Sequence, residues 1–255
     1  MLQKYILYII LLLPLNALAN ETLNVASDEW CPYICKEVDK PGILIEVLNE
    51  IAKHERLKVN FTIIPLARSL VMLQQSKLDM VLALTEEHIA EFNLKRSLEA
   101  YGGWYNDFYV RKTTKWKFSS IENLKKFIEQ DNTLGIIKGY KYGTAIDKLQ
   151  EKSGKYIFSA TGASPLTNLV AMLSKQRITV LLDSRFNIEY ELQNKNISNL
   201  KHVGTDGGFV PLYIGYAPEI KIKIVDIFDR GILKLRATGQ LSTILKRYSV
   251  PDWQS

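Results

Sequence analysis

The stretch V-A-S-D-E-W-C-P-Y-I-C, residues 25–35, sets how the rest of the chain is read. Leu23-Asn24-Val25-Ala26 has the pattern of a short strand, and Ser27-Asp28-Glu29 is the polar loop at its C-terminal end, where α/β sheets gather ligands. Trp30 and Tyr33 then stand at the mouth of that strand end. Cys31 and Cys35 are the chain's two cysteines, spaced C-x-x-x-C. A bond between them closes a five-residue loop, a small staple for which chain entropy predicts roughly 2 kcal/mol.

The cysteines have a second reading. Cys31-Pro32-Tyr33-Ile34-Cys35 is similar to the C-P-Y-C of thiol-disulfide oxidoreductases with one residue too many. In C-x-x-C the first sulfur sits at a helix N-terminus, which lowers its pKa, and the second is placed to resolve a mixed disulfide. The extra residue changes that placement, so the staple is preferred and a redox role for Cys31 is kept as the alternative.

Upstream, Lys4 precedes the apolar run Tyr5 to Leu15, and Ala17-Leu18-Ala19 follows as an A-x-A cleavage site. Residues 1–19 are therefore expected to be a signal peptide and Asn20 the first mature residue. Pro14 and Asn16 cut the apolar run well below the ~20 residues of a spanning helix. No cysteine sits immediately after the site to carry a lipid. Export to the periplasm, an oxidising compartment, agrees with a closed cysteine pair. About 236 residues remain, enough for one large or two modest α/β domains. The formal charge of +6 falls to +5 without Lys4, and acids and bases are interleaved, so neither a Lys/Arg run nor an aromatic-basic stripe points to nucleic acid.

Downstream, Pro41-Gly42 opens a helix with Ile43, Val47, Leu48, Ile51 and Ala52 at helical spacing. Val59 to Ile63 alternates as a strand, Pro65-Leu66-Ala67-Arg68 starts a second helix, and Met80 to Leu84 is an apolar strand. This β-α-β-α-β order requires a parallel sheet with right-handed crossovers. Thr85 to His88 begins a loop and short helix, and Tyr105 to Val110 is a strand leaving the unit. The pattern restarts at Ser120, a cap for the helix Ile121 to Glu129. Strands follow at Thr133 to Ile137, Tyr156 to Ser159 and Ile178 to Leu182, with a helix entered through Ser164-Pro165. Leu200 to Val203 and Val210 to Tyr216 read as two strands around Gly204 and Gly207-Gly208. Ile220 to Leu235 and Leu241 to Tyr248 are helical.

Two such units joined by more than one crossing strand describe a hinged, two-lobe α/β binder. The order and spacing of W-C-P-Y (residues 30–33), G-I-L-I-E-V-L-N-E-I-A (42–52), P-L-A-R-S-L-V-M-L-Q-Q-S-K-L-D-M (65–80), L-G-I-I-K-G-Y (134–140), L-S-K-Q-R-I-T-V-L-L-D (173–183) and P-L-Y-I-G-Y (211–216) carry a resemblance. The chain resembles the periplasmic solute-binding proteins of the polar amino-acid type, family 3, with the type II periplasmic-binding-protein-like fold. The resemblance covers nearly all of the mature chain. It implies two lobes that close on a small polar solute by hinge motion, lobe one at about 20–109 plus 215–255 and lobe two at 110–214. It also implies a membrane transporter permease or a sensor as partner.

The resemblance further implies site residues. The family's acid at the end of the strand matching Ile178 to Leu182 holds a ligand ammonium, and that position is Asp183. The family's carboxylate-holding arginine ends a T-x-x-R motif, and here the motif is Thr85-Glu86-Glu87-His88. Histidine cannot form the bidentate guanidinium fork, so a carboxylate ligand needs another cation, for which Arg68 and Arg96 are candidates. Lys138-Gly139-Tyr140 matches the strand-to-helix turn whose free N–H groups receive an anionic ligand group. Trp30, Tyr33, Trp104 and Tyr140 supply an aromatic wall. An enzyme finds little support: His54, His88 and His202 show no metal spacing, and neither a G-x-S-x-G nor a phosphate loop occurs. Paired Glu86 and Glu87 are the nearest thing to acid-base residues. No catalytic residue, metal or cofactor is expected.

Overall fold

A computed structural model describes residues 22–253; the expected signal peptide, 1–19, lies outside them. In chain order the elements are β1 (Thr22–Ser27), α1 (Ile43–His54), β2 (Lys58–Ile63), α2 (Leu66–Gln74), β3 (Met80–Leu84), α3 (Glu86–Glu91), β4 (Lys95–Arg96) and β5 (Gly102–Arg111). There follow α4 (Ile121–Ile128), β6 (Leu134–Ile137), α5 (Thr144–Lys152), β7 (Ile157–Ala160), α6 (Pro165–Ser174), β8 (Val180–Asp183), α7 (Arg185–Asn194), β9 (Leu200–Tyr216), α8 (Ile222–Ala237) and α9 (Gln240–Arg247).

The strands run in the order β2-β1-β3-β9-β5-β8-β6-β7, with β4 beside β9. β1 is parallel to β2 and β3, and β6 is parallel to β7 and β8, so each half holds one parallel core. The long strands β5 and β9 join the halves. At its C-terminal end β9 pairs antiparallel with β3, from Tyr213 to Tyr216, and along the rest with β5. Asp107 to Tyr109 of β5 already pair with β8 in the second half. This is the two-lobe fold expected from the sequence, with the β5/β9 ribbon joining its halves.

The register of that ribbon breaks where it crosses between lobes. Trp104 faces Val210, but Asn106 faces Asp206, so residues 207–209 of β9 stand opposite Tyr105 alone, an excess of two residues on β9. Gly207 takes φ +70° there, and Gly204 takes φ +144°. The glycines that read as a break between two strands are therefore irregularities inside one strand. Bulges of this kind bend and twist a ribbon without ending it.

The 30–35 loop is bonded to the start of α1. Ile43 N–H donates to Pro32 O and Leu44 N–H to Tyr33 O, which satisfies two amides that a helix start leaves open. The approach is close enough that a Cβ on Gly42 would lie 2.5 Å from Tyr33 O, and Gly42 has φ +107°. Cys31 and Cys35 form a disulfide. At the restart, Ser120 accepts from Asn123 N–H, the cap read from the sequence.

Candidate functional site

The C-terminal ends of β1, β3 and β8 and the turn after β6 meet between the lobes. Asp28, Trp30, Leu66, Ala83, Thr85, His88, Trp104, Tyr140, Lys141 and Leu212 enclose a cavity of about 20 Å³, room for a single water. The lobes are thus closed on each other, and their own side chains fill the cleft. Ala83 has φ +62° at the end of β3. That left-handed backbone costs a non-glycine residue on the order of 1 kcal/mol and commonly occurs at ligand sites.

Hydrogen bonds cross the cleft in both directions. Trp30 Nε1–H, from the first lobe, donates to Asp183 Oδ1 at 2.9 Å. Tyr140 O–H, from the second, donates to Asp28 Oδ2 at 2.8 Å. Asn187 Nδ2 of α7 donates to the carbonyls of Trp30 and Cys31 at 3.1 and 2.8 Å. Lys141 Nζ pairs with Glu91 at 2.5 Å, and Ser164 bonds to Glu29.

His88 completes this seam in one protonation state. Its Nδ1 lies 3.2 Å from Thr85 N, and its Nε2 lies 2.8 Å from Gly139 O. An amide N–H only donates and a carbonyl only accepts. Nδ1 is therefore the acceptor and Nε2 carries the proton, so the ring is neutral. Burial, the largest cause, also lowers the His88 pKa from its ordinary value, outweighing the bond to Gly139.

Both acids are disfavoured as anions. Burial raises the Asp183 carboxyl from 3.8 to about 7, against the bonds from Trp30 and Ser184 N–H, with the Asp28 charge adding to the rise. Burial raises Asp28 to about 6, partly offset by the Tyr140 hydroxyl. Asp183 Oδ2 is buried without a hydrogen-bond partner.

Three aromatic rings, Trp30, Trp104 and Tyr140, line the cavity, and a fourth, Tyr142, packs against Trp104. Trp30 meets Trp104 edge-on at 6.0 Å and Tyr140 at 6.2 Å, and Trp104 tilts against Tyr142 at 5.4 Å. Tyr33 stands behind this frame, stacked on Trp30 at 5.0 Å, with its hydroxyl donating to Gly103 O at 2.6 Å.

Of the residues singled out from the sequence, Trp30, Thr85, His88, Trp104 and Tyr140 line the cavity, and Gly139 and Asp183 bond to members of that lining. Arg68 is exposed on α2 and does not line it. Arg96 pairs with Glu86 at 3.0 Å and lies over the Tyr213 ring. The Gly139 turn presents its carbonyl to His88, while Lys138 and Tyr140 N–H donate within the sheet and turn. Asp28 and Lys141 are the polar additions. Asp28 had a legible signal, the first carboxylate past a strand end, but solvated acids are equally common there.

A two-lobe α/β binding fold with a polar and aromatic interlobe seam defines a class of protein. Within that class, the chain matches the bacterial extracellular solute-binding proteins, family 3, over residues 23–251 and belongs to that family. A search of the curated proteins returns no match. Among solved structures, an ancestral arginine-binding protein bound to arginine is 18% identical at TM-score 0.75, covering 89% of this chain and 97% of that one. A histidine kinase sensor domain with similarity to periplasmic binding proteins is 15% identical at TM-score 0.74, covering 90% and 96%. A Streptococcus mutans structure, described for glutathione import via GshT and the cystine importer TcyBC, is 15% identical at TM-score 0.72, covering 92% and 99%. At these identities the likeness is one of fold. Members of the family are extracellular binding proteins, and no helix among the described residues is long and apolar enough to cross a membrane.

Proposed function

We propose that the protein is exported to the periplasm, captures a small polar solute between its lobes, and presents the closed form to an ABC-type permease or a sensor. The observation that carries this reading is the seam itself. Donors and acceptors from both lobes meet around a cavity of about 20 Å³, too small for any organic solute. A solute therefore enters only when the lobes part, and it replaces contacts that the lobes otherwise make with each other. Binding then selects among lobe arrangements by the difference in contacts.

The division of lobes is proposed to fall at the register break, near Tyr105 and residues 207–209, a few residues before the boundaries expected at 109/110 and 214/215. Bending concentrated there moves the lobes without unpairing either parallel core. Trp30, Thr85, His88, Gly139, Tyr140 and Asp183 are assigned to the solute site, and Asp28 joins them. Arg68 is not assigned, because it is exposed and does not line the cavity. Tyr33 is assigned the support of Trp30.

The thiol alternative has less support: Cys31 and Cys35 are 5% and 4% exposed, and exchange requires access of an attacking thiolate to sulfur. The protein is accordingly read as a binder and not an enzyme.

Small-angle scattering of the mature chain, alone and with a pooled mixture of amines, amino acids and organic acids, tests whether a solute changes the lobe arrangement. The pool is expected to change the radius of gyration, because a solute between the lobes replaces the contacts they otherwise make with each other. A curve unchanged by the pool, with folded protein confirmed, counts against capture between the lobes.

A further inference from the structure

This inference rests on the solute-binding reading and names the chemistry of the solute. We infer that the cleft selects an organic amine carrying no carboxylate group, held by Asp28 and Asp183 inside the aromatic frame.

Asp28 and Asp183 each accept a donor from the opposite lobe, Tyr140 O–H and Trp30 Nε1–H respectively. A protonated amine is the natural replacement for either, since it brings several N–H donors and a full charge where the protein supplies one neutral donor. Asp183 Oδ2 has a further acceptor position without a partner, although the residue is fully buried. The Gly139 carbonyl adds a third acceptor at the same seam.

Among the described residues, the lining offers a carboxylate no unpaired cation. His88 stands where a guanidinium would be needed, and its bonds to Thr85 N–H and Gly139 O fix it as neutral. Protonating it would set an N–H against an N–H. Lys141, the cation in the lining, is paired with Glu91 at 2.5 Å. The amides of Lys138 and Tyr140 donate to Ala160 O and Ile137 O. Trp104 Nε1–H is buried without a partner, but one neutral donor suits a water or a hydroxyl, not the charged fork that a carboxylate calls for. Trp30, Trp104 and Tyr140 line the cavity, and aromatic rings attract a cation and repel an anion at their faces.

Raised acids do not oppose this reading. Burial favours the protonated carboxyls while the lobes lie against each other, and an ammonium between them favours the carboxylates.

The test compares 1,4-diaminobutane with ornithine, its counterpart bearing an α-carboxylate, by titration calorimetry on the mature protein at pH 7.5. The diamine is expected to bind at least about tenfold more tightly, a difference of about 1.4 kcal/mol. Asp183→Asn keeps an oxygen to accept from Trp30 and Ser184 and loses only the charge. It is expected to weaken the diamine by at least about tenfold, with its fold checked by melting. His88→Arg is expected to shift preference toward ornithine.

Ornithine binding as tightly as the diamine, or more tightly, overturns the inference and leaves the solute-binding reading intact. So does tight binding of an acidic or neutral solute in place of both. Absence of binding by amines, amino acids, organic acids and sugars alike overturns the inference together with the reading beneath it.

Discussion

The buried carboxyl of Asp183 makes the protein more stable in mild acid, opposite in sign to a salt-bridged aspartate. Its folded pKa, about 7, lies above the ordinary 3.8 because burial penalises the anion. The folded chain therefore holds the proton more tightly than the unfolded one. That contribution is fully present below 3.8 and is lost as pH rises through about 7. At ~1.4 kcal/mol for each tenfold change in protonation, the full effect is on the order of 4 kcal/mol. Roughly 2–3 kcal/mol of it falls between pH 5 and pH 8. Asp183→Asn removes the titration and keeps the acceptor for Trp30. Relative to the variant, the wild type is expected to lose that 2–3 kcal/mol over the same interval, or roughly 5–10 °C of melting temperature for a chain of this size. Thermal melts of both proteins at closely spaced pH values measure it. Parallel pH profiles for the two proteins would refute the reasoning, since Asp183 would then titrate alike in the folded and unfolded states.

Two further outcomes follow from the loop before α1. Gly42→Ala places a Cβ 2.5 Å from Tyr33 O at φ +107° and is expected to cost at least about 2 kcal/mol in urea unfolding; a near-neutral result would mean that the loop is not bonded to the helix as described. The Cys31–Cys35 pair, buried in that loop, should resist mild reductant in the native state, and replacing both cysteines with serine should lower stability by roughly 2 kcal/mol. Rapid reduction of the folded protein would instead favour a redox role.

The order of elements was legible because each depends on local pattern. The apolar faces of α1 and α6, the Ser120 cap and the buried runs of β3 and β8 all follow from spacing along the chain. The single strand β9 was not legible, because Gly204 and Gly207-Gly208 are turn formers by composition and only pairing with β5 keeps them in a ribbon. The two-residue β4 carries no periodicity at all. The position of His88 was read as a departure from T-x-x-R, but its neutrality was not, since that depends on Gly139 from a segment 51 residues away. The same holds for Asp28, whose partner Tyr140 lies 112 residues along the chain. Arg68 looked competent at a helix start, yet which face of α2 meets the cleft is set by tertiary packing.

The most direct measurement of the central claim is a thermal-shift screen of the mature protein against amines, amino acids, small peptides, organic acids and sugars. A bound solute at about a hundredfold excess over its dissociation constant adds ~2.7 kcal/mol to the folded state. A clear upward shift is expected for at least one polar solute, strongest among amines, with loss of that shift in Asp183→Asn. A folded sample that no solute stabilises would contradict solute capture between the lobes.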